Sequence, residues 1–397
     1  MNVTLMYMIQ KITGVKTMTD RLFEQDPYIR VFNARVLECE EKNGTYRIRL
    51  DRTAFFPEGG GQPGDRGWIG TALVSDTHEK DGEVWHYADR PLAVGAGVQG
   101  RLDWAFRFSN MQNHAGEHIV SGLIHAKYGY DNVGFHMGSE AITLDINGEL
   151  TEEQIQEIEA EANQAIEENI PIQAMLPSKD ALAQMTYRSK KALDGNVRIV
   201  EISGYDRCAC CGTHPSRTGE IRLIKILSVQ NYKGGVRIAM LSGQRALEDY
   251  MEKHENVVKI SHLLSAKTGE ISGAVERLQK EISDLKFRMV QMKREMLTMK
   301  AAGQPVEGKA VCVLENELEG NELREYANLL ADRAERVLVL AKNGSLYRYV
   351  LIDGGQRARE FGKEIQSLYQ GKGGGTAQMI QGTLSGNVEE VKRWFEK

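Results

Sequence analysis

No stretch of the 397 residues is apolar over the roughly 18–20 positions a helix needs to cross a bilayer, so a transmembrane helix is excluded. The N-terminus also lacks the succession of basic, apolar and small residues that marks a secretory signal. Cysteine is scarce and odd in number: five in all, three of them crowded at Cys208, Cys210 and Cys211. A fully paired disulfide framework is thereby excluded, and a reducing, cytoplasmic setting with metal chemistry is expected instead. Cys39 and Cys312 stand alone and read as core residues. A basic excess is missing as well. The chain has 50 Lys and Arg against 55 Asp and Glu, a net charge of −5, which argues against binding nucleic acid through overall charge.

The distribution of charge is more telling than its sum. Residues 149–170 hold eight Glu and no Lys or Arg, whereas residues 181–245 hold eleven Lys and Arg against four Asp and Glu. The acidic stretch reads as a solvated helix face, and the basic one as a candidate phosphate-facing segment.

Two motifs carry chemistry. In His114-Ala115-Gly116-Glu117-His118 two imidazoles stand four apart, which on a helix puts both on one face. Cys210-Cys211-Gly212-Thr213-His214 supplies a thiol and an imidazole at the same spacing. Either motif alone is equally a structural pair. Together they offer three nitrogens and one sulfur, a tetrahedral zinc set of one Zn2+ per chain through His114, His118, Cys210 and His214.

The hydrophobic pattern divides the chain. A hydrophobic content of 41% suits two or three packed domains at this length. Residues 18–105 show short alternating runs such as Tyr46–Leu50 between Gly and Asp turns, the pattern of a small antiparallel β-barrel. Residues 106–260 mix helices, Asn110–Tyr128 and one starting at Thr151, with strands over Val197–Ile202, Ile221–Val229 and Val236–Leu241. From Ile271 the period changes: Ile271, Val275, Leu278, Ile282, Leu285, Met289, Met292, Met296 and Met299 alternate steps of four and three, a coiled-coil seam within a helix over 266–302. One such helix cannot bury its own seam, so a homodimer through 271–299 is expected, or docking on its own C-terminal domain. Residues 308–397 read as alternating strands and helices, an α/β domain. The fold class expected is therefore α+β: a small N-terminal barrel, a zinc-containing α+β domain, a coiled-coil helix and a C-terminal α/β domain.

Further segments narrow the function. Arg52-Thr53-Ala54-Phe55-Phe56-Pro57-Glu58-Gly59-Gly60-Gly61-Gln62-Pro63-Gly64-Asp65 precedes the histidine motif, and Thr213-His214-Pro215-Ser216-Arg217-Thr218-Gly219-Glu220-Ile221 overlaps the end of the second. These, in this order, resemble the editing domain of alanyl-tRNA synthetase and its free-standing AlaX-type relatives. The final ninety residues, with Gly371-Lys372-Gly373-Gly374-Gly375-Thr376, resemble the small domain that ends alanyl-tRNA synthetases and follows DHH phosphoesterase domains. Together the matches cover most of 18–397, as in the long AlaX form, with no sign of a class II aminoacylation domain. Residues 1–17 do not fit the family and read as an extension.

The resemblance implies zinc-dependent hydrolysis of mischarged tRNA(Ala), Ser-tRNA(Ala) and also Gly-tRNA(Ala), in trans. It implies that the 52–65 loop walls the site or receives the tRNA 3′ end. His136 and Ser139 lie where related domains carry a Gln-x-Gly-Ser segment and are placed near the substrate, with Thr143 to meet the serine hydroxyl. Glu117 stands where synthetases often carry Ser or Thr; it could take a proton from water or orient a ligand. Cys211 replaces a usual Gly. Lys372, Gly373, Gly374 and Gly375 are the expected RNA contacts, their backbone N–H groups facing phosphate. Three rivals stand beside this reading: an inverted zinc-protease signature in His-x-x-Glu-His, a zinc-retaining tRNA-binding module without hydrolysis, and editing of Ser-tRNA(Thr) on a shared scaffold.

Overall fold

The computed structural model describes residues 18–42, 44–189, 197–316 and 318–397; the 1–17 extension lies outside the described residues. Two compact units are present, one ending at Asn256 and one running from Val257 to Lys397.

In the first unit, β1 (Val31–Lys42), β2 (Thr45–Leu50), β3 (Gly67–Ile69), β4 (Ala72–Lys80), β5 (Glu83–Ala88) and β6 (Gly97–Leu102) close in the order β1-β2-β5-β4-β3-β6. Every neighbouring pair is antiparallel, including β6 on β1. Alternation drives it. Phe32, Ala34 and Val36 point inward from β1 while Val31, Asn33 and Arg35 stay exposed. The interior fills with Ile48, Leu50, Phe55, Ile69, Val74 and Leu102, and closure leaves no sheet edge to pair elsewhere.

Helix α1 (Trp104–Tyr128) follows at once. It starts six residues before the expected Asn110, because Asp103 caps it by accepting from the Phe106 N–H. Gly129, at φ 71°, ends it. From Asn110 to Ile124 every residue of α1 is buried, so its polar groups must find partners inside the protein. A four-stranded sheet packs against it in the order β12-β13-β8-β7, formed by β7 (Asn132–Met137), β8 (Ile142–Ile146), β12 (Ile224–Tyr232) and β13 (Gly235–Ser242). Helix α2 (Glu152–Glu168) opens with a capping box between Thr151 and Gln154 and buries Ile155, Ile158, Ala162 and Ile166 in the same core. The three-stranded ladder of β9 (Ile172–Met175), β10 (Ile199–Ile202) and β11 (Asp206–Ala209) delivers the cysteine segment to α1. Helix α3 (Gln244–Leu264) leads out of this unit.

The second unit holds α4 (Ile271–Gly303) and a five-stranded sheet, β14-β15-β16-β18-β17. Its strands are β14 (Ala310–Glu315), β15 (Arg336–Asn343), β16 (Leu346–Asp353), β17 (Lys372–Gly375) and β18 (Met379–Leu384), with helices α5 (Gly320–Ala331), α6 (Ala358–Tyr369) and α7 (Val388–Phe395). Only β14 and β15 run parallel. Helix α4 buries Leu297 and Ala301 against α5 and the sheet, and Lys293 and Arg294 reach Glu322 and Glu325 of α5 at 2.6 and 2.5 Å. The seam is not what packs. From Val275 to Met299 its eight residues are each at least 36% exposed. The Gly run forms the edge strand β17, held by β18. Among the described residues no helix is long and apolar enough to cross a membrane.

Candidate metal centre and its cavity

One turn of α1 separates His114 from His118, so both rings emerge on one side, with centroids 5.2 Å apart. The segment after β11 brings Cys210 and His214 onto them. The His214 ring lies 4.6 Å from that of His114 and 4.9 Å from that of His118. One ligand atom from each of His114, His118, Cys210 and His214 falls within 4.8 Å of all the others. Cys210 Sγ is 3.5 Å from His114 Nε2 and 3.8 Å from His214 Nε2. Bonds of about 2.05 Å to nitrogen and about 2.3 Å to sulfur at tetrahedral angles put N and S about 3.5 Å apart. The four residues therefore fit a tetrahedral cation and could hold a metal ion.

Buried neighbours fix the rings. His114 Nδ1 donates to Gln62 Oε1 at 3.0 Å. The same oxygen accepts the Thr213 N–H at 3.1 Å, which settles which end of the amide it is, and Gln62 Nε2 donates to Thr213 Oγ1 at 2.8 Å. Gln62 thus clasps the 52–65 loop to the 210–214 turn. His118 Nδ1 donates to Asp206 Oδ2 at 2.7 Å. The other carboxylate oxygen accepts from Arg188 Nε, also at 2.7 Å. Arg198 Nη1 donates to the carbonyls of Cys210 and Gly212, both at 2.9 Å, and pins the turn. A side chain at Gly212 would meet His114 Cε1 at 2.2 Å, so only glycine lets the turn lie on the ring.

Burial opposes charge here, yet the imidazoles of His114, His214 and His118 hold the Cys210 thiol well below its ordinary range. Burial pushes His214 down to about 3, leaving it neutral. Burial would lower His118 too, but Cys210 and Asp206 raise it well above its usual value. Cys208 is pushed up to about 11 by burial and stays a thiol. Thiolate and neutral imidazole are the forms a divalent cation takes, so a cation entering this set displaces the extra proton of His118.

His114, His118 and Cys210 of the cluster floor a cavity of about 470 Å³ walled by Gly60, Gly61, Val133, Phe135, Ser189 and Cys211, a size suited to a small ligand or a chain end. Phe135 stacks on His114 with centroids 5.4 Å apart. Gly61, at φ 89°, lies against that phenyl ring; a Cβ there would sit 2.5 Å from Phe135 Cδ1. Glu117 also lines the cavity. It is 2% exposed and its Oε1 accepts from Ser121 Oγ at 2.7 Å and from the Asn132 amide.

Three expected contacts are not brought to the cluster. On β8, Ile142, Leu144 and Ile146 point into the core while Thr143 and Asp145 point away. Thr143 pairs with His136 across the ladder, so both side chains occupy the outer face of the sheet. Ser139 sits exposed in the β7–β8 turn, its carbonyl bound by Arg245. The 52–65 loop does wall the cavity. Gln62 lies in the segment singled out above, though not as a partner of His114, while Asp206 and Arg188 carry no signal in the sequence; nothing local marks an Asp four residues before a Cys as a partner for a His 88 positions away. In the second unit, Lys372–Gly375 are exposed, and Gly374 and Gly375 line a separate cavity of about 500 Å³ with Arg324, Asn328, Asp353 and Gln381.

Comparison with known proteins agrees with the motifs. Residues 197–239 match the family model described as threonyl and alanyl tRNA synthetase second additional domain. The chain is 29% identical to the alanyl-tRNA editing protein AlaX-L of Pyrococcus horikoshii over 94% of its length and 96% of that protein's. It is 28% identical to the alanyl-tRNA editing protein Aarsd1 of Danio rerio over 93% of its length and 95% of that protein's. An alanine–tRNA ligase of Ignicoccus hospitalis is 31% identical over 89% of the chain, which spans 40% of that enzyme. The cluster, the loop that walls it and the C-terminal unit thus lie in a chain similar to the AlaX-L and Aarsd1 alanyl-tRNA editing proteins over nearly the whole length of each.

Proposed function

We propose that the protein is an aminoacyl-tRNA deacylase that hydrolyses mischarged tRNA(Ala), Ser-tRNA(Ala) foremost and Gly-tRNA(Ala) as well, in trans, with one zinc ion at His114, His118, Cys210 and His214. The observation that carries it is the convergence of those four ligand atoms beside a cavity that His114, His118 and Cys210 line, in a chain similar to alanyl-tRNA editing proteins over about its whole length. A zinc ion held by these residues would supply a positive charge beside the bound ester.

The protein's own groups do the rest. The cavity between Gly61, Phe135 and Ser189 receives the aminoacylated 3′ end and holds its ester over the cluster. Glu117, fixed by Ser121 and Asn132, orients the water, accepts its proton as the water oxygen bonds to the ester carbon, and passes that proton to the ribose oxygen as the ester C–O bond breaks. Four protein ligands already fill a tetrahedron, so this carboxylate is the more direct handle on water. Because His136 and Thr143 lie on the outer sheet face and Ser139 in an exposed turn, none is given a part in the reaction. Editing needs this second site because one extra hydroxyl or one missing methyl changes affinity by only about 1–3 kcal/mol in a pocket built for alanine.

The second unit would bind the tRNA, with the Lys372–Gly375 edge against phosphate. The open seam from Val275 to Met299 would pair two copies through α4. The domain division proposed follows: barrel 18–105, zinc domain 106–260, coiled-coil helix 266–302, tRNA-binding domain 308–397.

The test is deacylation of Ser-tRNA(Ala), Gly-tRNA(Ala), Ala-tRNA(Ala) and Ser-tRNA(Thr) by purified protein. Ser-tRNA(Ala) should be hydrolysed well ahead of Ala-tRNA(Ala). Equal rates on those two, or a preference for Ser-tRNA(Thr), would contradict the assignment.

A further inference from the structure

Three buried groups of the first unit are not used by the chemistry above: Asp206, Arg188 and Cys208. They sit together beside His118. The Asp206 side chain is 1% exposed and that of Arg188 is 13% exposed. The two Asp206 oxygens serve different partners. Oδ2 accepts from His118 Nδ1 and Oδ1 from Arg188 Nε, both at 2.7 Å. The backbone of Arg188 is held as firmly as its side chain. Its N–H donates to the Arg207 carbonyl at 2.8 Å, and its carbonyl accepts the Ala209 N–H at 2.9 Å.

We propose that Asp206 and Arg188 are positioning residues for the metal centre: Arg188 sets the Asp206 carboxylate, and Asp206 sets the ring plane and tautomer of His118. The inference rests on the metal-centre reading. A hydrogen on Nδ1 leaves the Nε2 lone pair of His118 as the ligand, and a carboxylate acceptor raises the basicity of that nitrogen. The three imidazoles are not treated alike. His114 is oriented by the neutral amide of Gln62, and His214 Nδ1 is buried with no hydrogen-bond partner among the described residues. Among those residues, His118 is the imidazole of the set backed by an anion. That anion has a counter-charge of its own, so it is not left as an unpaired charge in the interior.

The arrangement has a second consequence. Ser189, next to Arg188, lines the cavity. The cavity wall and the orientation of a metal ligand are therefore tied through one side chain. A purely structural ion pair would need only Arg188 and Asp206; it would not require the remaining oxygen to be 2.7 Å from a ligand's outer nitrogen.

The experiment measures zinc affinity by chelator competition, and the ligand-field spectrum of the cobalt(II)-loaded protein, for wild type, Cys210→Ala, Asp206→Asn, Arg188→Gln and the Arg188→Gln/Asp206→Asn double variant. The melting temperature of each metal-free protein is recorded alongside. Asp206→Asn should lower affinity about 10–100-fold and shift the cobalt spectrum, with metal-free melting close to wild type. Arg188→Gln should lose less, and the double variant should be no weaker than Asp206→Asn, as groups acting in series are not additive. Wild-type affinity in Asp206→Asn, or losses that add in the double variant, would overturn the positioning role. If Asp206→Asn does not fold, Arg188→Gln decides: unchanged affinity and spectrum overturn the proposal. A wild type that binds zinc no better than Cys210→Ala would instead sink the metal-centre reading, an outcome separate from the other two.

Discussion

His86 shows what one buried residue can do to stability. It lies in β5 with no exposed surface, its Nδ1 donating to the Ile48 carbonyl at 2.9 Å and its Nε2 accepting from Thr53 Oγ1 at 2.8 Å. Burial lowers its pKa from 6.5 to about 4. The native ring is thus neutral where the unfolded ring takes up a proton, so stability is full above about pH 6.5 and falls as pH drops towards 4. One such group contributes about 3 kcal/mol over that window. Glutamine at 86 can serve both partners without titrating. In urea titrations from pH 7 to pH 4, His86→Gln should flatten the acid loss by about that amount; an unchanged slope would place the acid sensitivity elsewhere. Residue types and spacing alone mark His114, His118, Cys210 and His214, since ligand chemistry needs those atoms. They do not mark Gln62 or Asp206, whose value lies only in what they face. His136, Ser139 and Thr143 rest on positional likeness, and a strand's alternation turns two of them to the wrong side of the sheet.

At the scale of elements, a buried ion pair joins the 52–65 loop to α1 beside the Gln62–His114 bond. Arg107 has no exposed surface and reaches Asp65 through Nε at 2.7 Å, the Pro27 carbonyl at 3.0 Å and the Ala54 carbonyl at 2.5 Å. Burial raises the Asp65 pKa in spite of Arg107, so the carboxylate depends on its partner. Arg107→Met should destabilise the protein by about 3–5 kcal/mol, while Arg107→Met with Asp65→Asn should recover part of that loss. Equilibrium denaturation of both variants checks it, and a double variant as unstable as the single would refute the pairing. Barrel and helices are readable because their periods are 2 and 3.6. The strand at Lys372–Gly375 is not, because glycine carries no pattern and its pairing comes from β18. The α4 seam is readable as a pattern but not as a contact: Leu297 and Ala301, off the seam, dock the helix.

For the whole molecule, the proposed function divides its work between the two units. All four candidate ligands lie before Asn256, the end of the first unit. A chain ending at Ser265 should keep zinc binding and single-turnover hydrolysis near wild type. Its KM for mischarged tRNA should rise, and the salt dependence of binding should shrink with the lost phosphate contacts. Steady-state kinetics at two ionic strengths, with zinc content measured in parallel, tests this. An unchanged KM would leave the second unit with pairing of copies as its main role.

The clasp made by Gln62 also dictates a timetable. Its partner Thr213 stands 151 positions along the chain, and Cys210 stands 96 beyond His114. During synthesis the barrel and the histidine helix leave the ribosome long before the turn that completes them. Closing so long a loop is slow relative to local helix formation. The latch between loop and turn is therefore expected among the last native contacts to form. In hydrogen-exchange labelling during refolding, the Thr213 amide should gain protection after the amides of α1. Simultaneous protection would show that the histidine helix waits for its latch.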